Sequence, residues 1–223
     1  PIKKIIAFGS AKGGVGKSSI TASLALSLSK HKKIGILDAD VYGPNQNILF
    51  KLDTKNEIVD KQIIPITKKG IKIISMGNIM NYDDAAIWRG PMLSGAIKKL
   101  VHDTKWGELD YLLIDMPPGT GDVYLTIFNE LLIDEFILIT TPNILANSDL
   151  QKTITMLKKL NIKIFGYISN NIFNVEDQNS SILISDNINH LGTYKFDKNL
   201  HDFNLDYNSE ITEEISKRIL SDT

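Results

Sequence analysis

A glycine-rich stretch near the start of the chain, Gly9-Ser10-Ala11-Lys12-Gly13-Gly14-Val15-Gly16-Lys17-Ser18-Ser19, follows the apolar run Ile5-Ile6-Ala7-Phe8 and precedes Ile20-Thr21-Ala22-Ser23-Leu24-Ala25-Leu26-Ser27-Leu28. That order reads as strand, loop, helix. Gly13, Gly14 and Gly16 free the backbone to turn its N–H groups toward one point, and a helix starting near Lys17 adds unpaired N–H groups and the positive end of its dipole. Polyphosphate fits such a cradle, in which Val15 and Ser19 are counted. Lys17 is expected to reach the β- and γ-phosphates and the Ser18 hydroxyl to serve as a magnesium ligand. The pattern G-x-x-x-x-G-K-[ST] is met with Ala11 in place of its first glycine. A second lysine, Lys12, cannot easily serve the same phosphates from the same side, which invites a role for it across a dimer interface.

Isoleucine-rich runs recur along the whole length at Ile5–Phe8, Ile34–Leu37, Ile71–Ser75, Tyr111–Ile114, Phe136–Ile139 and Ile164–Ile168, separated by helical patterns. Continuous apolar strands spaced by helices predict an α/β fold, a mainly parallel sheet covered by helices on both faces. No linker or internal repeat interrupts it, so residues 1–223 read as one domain. Ligands in this architecture bind beyond the carboxyl ends of strands, and each motif below follows a strand.

The second strand ends in Asp38-Ala39-Asp40-Val41-Tyr42-Gly43-Pro44-Asn45. Two acids one residue apart at a strand end point in similar directions. Asp40 is the better candidate for positioning the water that attacks the γ-phosphate, and Asp38 is expected nearer the magnesium. Both could instead cap the following turn, a common use of Asp. Further on, Leu112-Leu113-Ile114-Asp115 is an apolar strand ending in an acid, the arrangement in which the carboxylate holds magnesium directly or through water. Next to it, Pro117-Pro118-Gly119-Thr120-Gly121 suits a switch that senses the γ-phosphate, and Asp122 is expected to cap the next helix.

Trp88 and Arg89, in a turn before the helix of Ala96, Ile97, Leu100 and Val101, read equally as an interface anchor or as a cap on the domain's own core. The strand at Ile164–Ile168 runs into Ser169-Asn170-Asn171; Asn170 can meet a purine edge or satisfy loop backbone. Leu150, Ile154, Leu157 and Leu160 mark a core-facing helix, and Ile211, Ile215, Ile219 and Leu220 a terminal one whose polar face carries Glu213 and Glu214. Acids on that face argue against an anionic membrane surface. His31, His102, His190 and His201 lack metal-ligand spacing.

None of the 223 residues is cysteine, which removes disulfides, thiol nucleophiles and thiolate ligands for zinc or iron–sulfur clusters. A net charge of −1 gives no global pull toward nucleic acid. No apolar run reaches the roughly 18 residues of a spanning helix, and the default compartment is cytoplasmic. The chain starts at Pro1, which leaves processing or a preceding segment open.

Together, Lys12–Ser18, Asp38-Ala39-Asp40-Val41-Tyr42-Gly43-Pro44, Trp88-Arg89-Gly90-Pro91-Met92 and Asp115-Met116-Pro117-Pro118-Gly119-Thr120-Gly121-Asp122 closely resemble the Mrp/ApbC branch of the deviant-Walker ATPases, a group that includes MinD, ParA and the nitrogenase iron protein. The resemblance covers roughly residues 2 to 170. It implies an ATP- and Mg2+-dependent homodimer with the nucleotides at the interface. Lys12 would be the lysine reaching into the partner's site, Lys17 and Ser18 the phosphate and magnesium residues, and Asp40 the residue near the attacking water. Asp115 would be the Walker B acid and Asn170 an adenine contact. It also implies a role in iron–sulfur cluster assembly, with apo-protein clients or assembly factors as partners. Family members hold a cluster through a Cys-x-x-Cys pair shortly after the strand that ends here at Asn170-Asn171. This chain has Ile172-Phe173-Asn174-Val175-Glu176-Asp177-Gln178 there, and Tyr194-Lys195-Phe196 where the family has an Ile-Pro pair. The alternative expectation is a nucleotide-switched positioning or adaptor ATPase like MinD or ParA.

Overall fold

The structure is a computed structural model that describes residues 1–79, 91–142, 147–176 and 180–222. Trp88, Arg89 and Gly90 lie outside the described residues.

The strands are β1 (Ile2–Gly9), β2 (Ile34–Asp38), β3 (Ile58–Val59), β4 (Gln62–Ile63), β5 (Ile66–Lys68), β6 (Ile71–Ser75), β7 (Leu109–Asp115), β8 (Glu135–Thr140), β9 (Ile164–Asn170) and β10 (His190–Tyr194). Eight of them form one sheet in the order β10-β9-β8-β1-β7-β2-β6-β5. All neighbours in it are parallel except the antiparallel edge pair of β5 and β6. Before β5 the chain forms the small antiparallel β3–β4 hairpin.

The helices are α1 (Lys17–Leu28), α2 (Gln46–Leu49), α3 (Met76–Ile79), α4 (Pro91–His102), α5 (Asp122–Glu130), α6 (Asn147–Lys159), α7 (Ser180–Ser185), α8 (Lys198–His201) and α9 (Glu210–Ser221). Because side chains alternate along a strand, the sheet feeds two cores. Tyr111 and Leu113 of β7 face one side with Leu24 of α1 and with Ile215 and Ile219 of α9. Leu112 and Ile114 face the other, with Ile97 of α4, Ile127 of α5 and Ile154 of α6. The terminal helix therefore packs as its apolar stripe predicts. The stripe of α6 ends sooner than expected, since Leu160 is 38% exposed just past its last turn. Asp122 is likewise not a cap: Gly121 holds that position and Asp122 is the first helical residue, where its charge still faces the helix dipole.

The tenth strand has no counterpart among the strands expected from sequence. Leu191 and Tyr194 are buried in it, but five residues interrupted by Gly192 are too short to announce a strand alone. It forms because β9 offers it a free edge and α9 covers it, with the Tyr194 hydroxyl bonded to Thr212 Oγ1 at 2.8 Å.

Register decides where the chemistry collects. Phe8 pairs with Asp115, Asp38 with Asp115, and Asp38 with Ser75. The carboxyl ends of β1, β7, β2 and β6 thus fall in one row, with neighbouring backbones about 4.8 Å apart, directly below the phosphate loop that leaves β1.

Candidate nucleotide site

The loop after β1 owes its shape to left-handed glycines. Gly14 has φ 74° and Gly16 φ 84°, and Gly16 immediately precedes α1. The amide of Asn170, at the end of β9, lies where a Gly16 side chain would be and donates from Nδ2 to the Val15 carbonyl at 2.9 Å. Gly16 is thus required twice, by its dihedral angle and by the close approach of Asn170. The base of the loop is tied to the segment after β7, where Gly119 N–H donates to the Ser10 carbonyl at 3.0 Å. The Ser10 hydroxyl donates to the Lys12 carbonyl at 2.7 Å. Lys12 itself sits half-buried on the rim.

Lys17 is buried and forms an ion pair with Asp115, which is completely buried. The second Asp115 oxygen accepts from Gln46 Nε2 at 2.8 Å, and the same nitrogen reaches the Ser18 carbonyl at 3.0 Å. Asp38 accepts four bonds: from the backbone N–H groups of Asp40, Asn45 and Gln46 at 3.2, 3.0 and 2.9 Å, and from the Ser75 hydroxyl at 2.9 Å. Asp38 thereby shapes the loop that carries Asp40, whose Oδ1 accepts from Gly43 N–H at 3.1 Å.

Three buried carboxyls, those of Asp38, Asp40 and Asp115, feel the buried ammonium of Lys17, which pairs with Asp115. Burial, with the Asp115 charge adding to it, pushes the Asp38 carboxyl up to about 7. Burial also raises Asp40, against the opposing pull of Lys17. Carboxyls that burial pushes toward the neutral form, on hard oxygen donors, would regain their charge beside a divalent cation of the magnesium type. Ser18 and Asp115 would hold it, with Asp38 behind them.

Two cavities meet at the loop. One of 320 Å³ is lined by Gly13, Gly14, Lys17, Ser18, Asp40 and Pro118. The other, of 220 Å³, is lined by Asn170, Ile172, Tyr194, Phe196, Leu200 and His201. Gly14, Gly16 and Ser19 border both. A polar cradle opening into an apolar slot has the form of a phosphate subsite joined to a base subsite. Asn170 thus serves loop backbone and also lines the slot, so the two uses read from its sequence position are compatible.

Sequence reasoning missed Gln46 and, although it set Tyr194-Lys195-Phe196 at the family's Ile-Pro position, gave Tyr194, Phe196 and Leu200 no part in a wall. The wall depends on β10, which sequence did not announce; Gln46 carries no local signal beyond a polar residue opening α2.

Among the described residues no helix is long and apolar enough to cross a membrane. The loop after β9 presents exposed Ile172, Phe173 and Val175. With no cysteine among the 223 residues, these side chains do not fit a thiolate-held iron–sulfur cluster.

A parallel sheet with a lysine-bearing glycine loop after its first strand, and acids at the ends of two adjoining strands, defines a P-loop NTPase. A family model described as ParA, NUBPL iron-transfer P-loop NTPase, matches residues 1–218, and the chain belongs to that family. An iron-sulfur cluster carrier protein of Aquifex aeolicus is 46% identical over 173 residues, 76% of this chain and 48% of the relative. The iron-sulfur cluster transfer protein NUBPL of Dictyostelium discoideum is 42% identical over 193 residues, 83% of this chain and 59% of the relative. The chain thus spans about half the length of the curated relatives it matches.

Among solved structures, a nucleotide-binding protein from Archaeoglobus fulgidus in complex with ADP superposes with a TM-score of 0.77 at 30% identity, covering 97% of this chain and 89% of that one. The septum site-determining protein MinD of Pyrococcus horikoshii, complexed with Mg-ADP, has a TM-score of 0.77 at 19% identity, covering 97% and 96%. The second likeness is one of fold.

Proposed function

We propose that this chain is a magnesium-dependent ATPase that cycles between monomer and nucleotide-bridged homodimer and serves iron–sulfur cluster assembly. The observation that carries the ATPase reading is the joining of the phosphate loop to the strand-end acids through Lys17, Asp115 and Gln46. The relatives' names supply the cluster-assembly role.

In this reading Gly13, Gly14, Val15, Gly16 and Ser19 supply the phosphate cradle, and Lys17 leaves Asp115 for the phosphate oxygens. Ser18 and Asp115 would hold magnesium, with Asp38 positioning. The cation, when bound, neutralises charge on the phosphate oxygens. Asp40, whose loop is held by Asp38, orients the attacking water. Lys12, on the rim, reaches the partner's nucleotide. Asn170 lines the adenine slot.

This chain offers no thiolate to a cluster. Anaerobic incubation with iron and sulfide, followed by absorption spectroscopy, tests carriage directly. A stable protein-bound chromophore would require ligands of another kind or a cysteine-bearing partner. The ATPase reading is tested by hydrolysis assays with and without magnesium, beside mass measurement of the protein in ATP and in ADP. An unchanged monomer with no hydrolysis sinks it.

The cysteine-free composition favours a second reading, a switch that positions or adapts other molecules as MinD-like proteins do. Sedimentation with lipid vesicles or DNA in the presence of ATP separates the two; failure to bind either surface counts against the second.

A further inference from the structure

Gln46 opens α2 and is fully buried. Its backbone N–H bonds to Asp38, and its side-chain nitrogen bonds to both Asp115 and the Ser18 carbonyl. One residue therefore joins the end of β2, the end of β7 and the first turn of α1. These are three pieces of the site that the sequence places far apart.

Its other amide atom stands differently. Gln46 Oε1 is buried and has no hydrogen-bond partner among the described residues. An unmatched buried acceptor is destabilising, and such orphans in native folds call for a specific explanation, a missing water or ion among them. The oxygen belongs to the same planar amide whose nitrogen reaches Asp115.

We propose that Gln46 is a positioning residue for the divalent cation that accompanies the nucleotide. Its nitrogen holds the Asp115 carboxylate in one orientation against α1, and its free oxygen accepts a hydrogen bond from a water of the cation's shell. The assignment rests on the reading of the site as one for magnesium and nucleotide. It differs from the roles of Lys17 and Asp40 in that Gln46 touches neither phosphate nor attacking water.

The test titrates a fluorescent ATP analogue onto the full chain in EDTA and across a magnesium series, for wild type, Gln46→Met and Gln46→Asn. The first keeps side-chain length without the amide; the second keeps the amide but falls short of Asp115. Each protein's own nucleotide affinity in EDTA is the reference against which its magnesium effect is read. The magnesium concentration giving half of the cation effect should rise by at least about tenfold, the scale on which partners of metal ligands act. A purely structural role would lower the melting temperature and leave that concentration unmoved. Folded variants with a wild-type magnesium requirement overturn the proposal, and so does failure of both variants to fold, which would make the amide structural. If nucleotide binding by the wild type ignores magnesium, the underlying reading of the site fails with it.

Discussion

Lys17 of the phosphate loop is held by Asp115 at the end of β7, an ion pair between side chains 6% and 0% exposed. The cation proposed for phosphate and the acid proposed for magnesium thus neutralise each other. Removing one partner of a buried pair leaves the other charge stranded.

Lys17→Ala is therefore expected to do two things. Nucleotide binding should be lost, and stability in EDTA should fall by about 3–5 kcal/mol. Adding Asp115→Asn should recover a large part of that stability without restoring binding. Urea denaturation of the two variants, beside nucleotide titration, checks both halves. A Lys17→Ala protein as stable as wild type would mean that the pair contributes nothing.

Asp40→Ala should keep ATP bound, slow hydrolysis by about 100-fold or more, the scale for a well-placed general base or water-orienting group, and accumulate dimer. Light scattering after size exclusion in ATP, with phosphate release measured in parallel, is the check. Hydrolysis at the wild-type rate would remove Asp40 from the chemistry.

Asp38 makes a pH prediction. Its carboxyl moves from an ordinary 3.8 to about 7 in the folded protein, so between those values the native state binds more protons than the unfolded state. Its contribution to stability is therefore greatest at low pH and declines as pH rises through that window, by on the order of 1 kcal/mol per pH unit. In the metal-free protein, Asp38→Asn should gain stability relative to wild type as pH rises from 4 to 7. Paired melting curves across that range read the difference. A difference independent of pH would refute the assignment.

Gly16→Ala should cost about 1–3 kcal/mol through its left-handed backbone and displace the Asn170 amide. Nucleotide affinity should drop with it. Combining it with Asn170→Ala relieves the overlap but not the dihedral strain, so only part of the stability should return. Thermal unfolding of the single and double variants distinguishes the two components; full recovery would mean that the dihedral carries no cost.

Much of this was legible in the residues. The glycine spacing before Lys17 announced a phosphate cradle, the apolar runs announced buried parallel strands, and Asp38, Asp40 and Asp115 stood where strands end. These are local properties, set by backbone freedom at glycine and by the need to bury apolar runs on both faces of a sheet. They did not say which strands are neighbours. Only the strand order, with β7 between β1 and β2, brings Asp38 beside Asp115 and both beneath Lys17. Only packing places Gln46 across three motifs, Asn170 under Gly16, and a tenth strand beside the base-side slot. Those relations join residues distant in the chain through buried hydrogen bonds, which form once the sheet has excluded water and which no local pattern records.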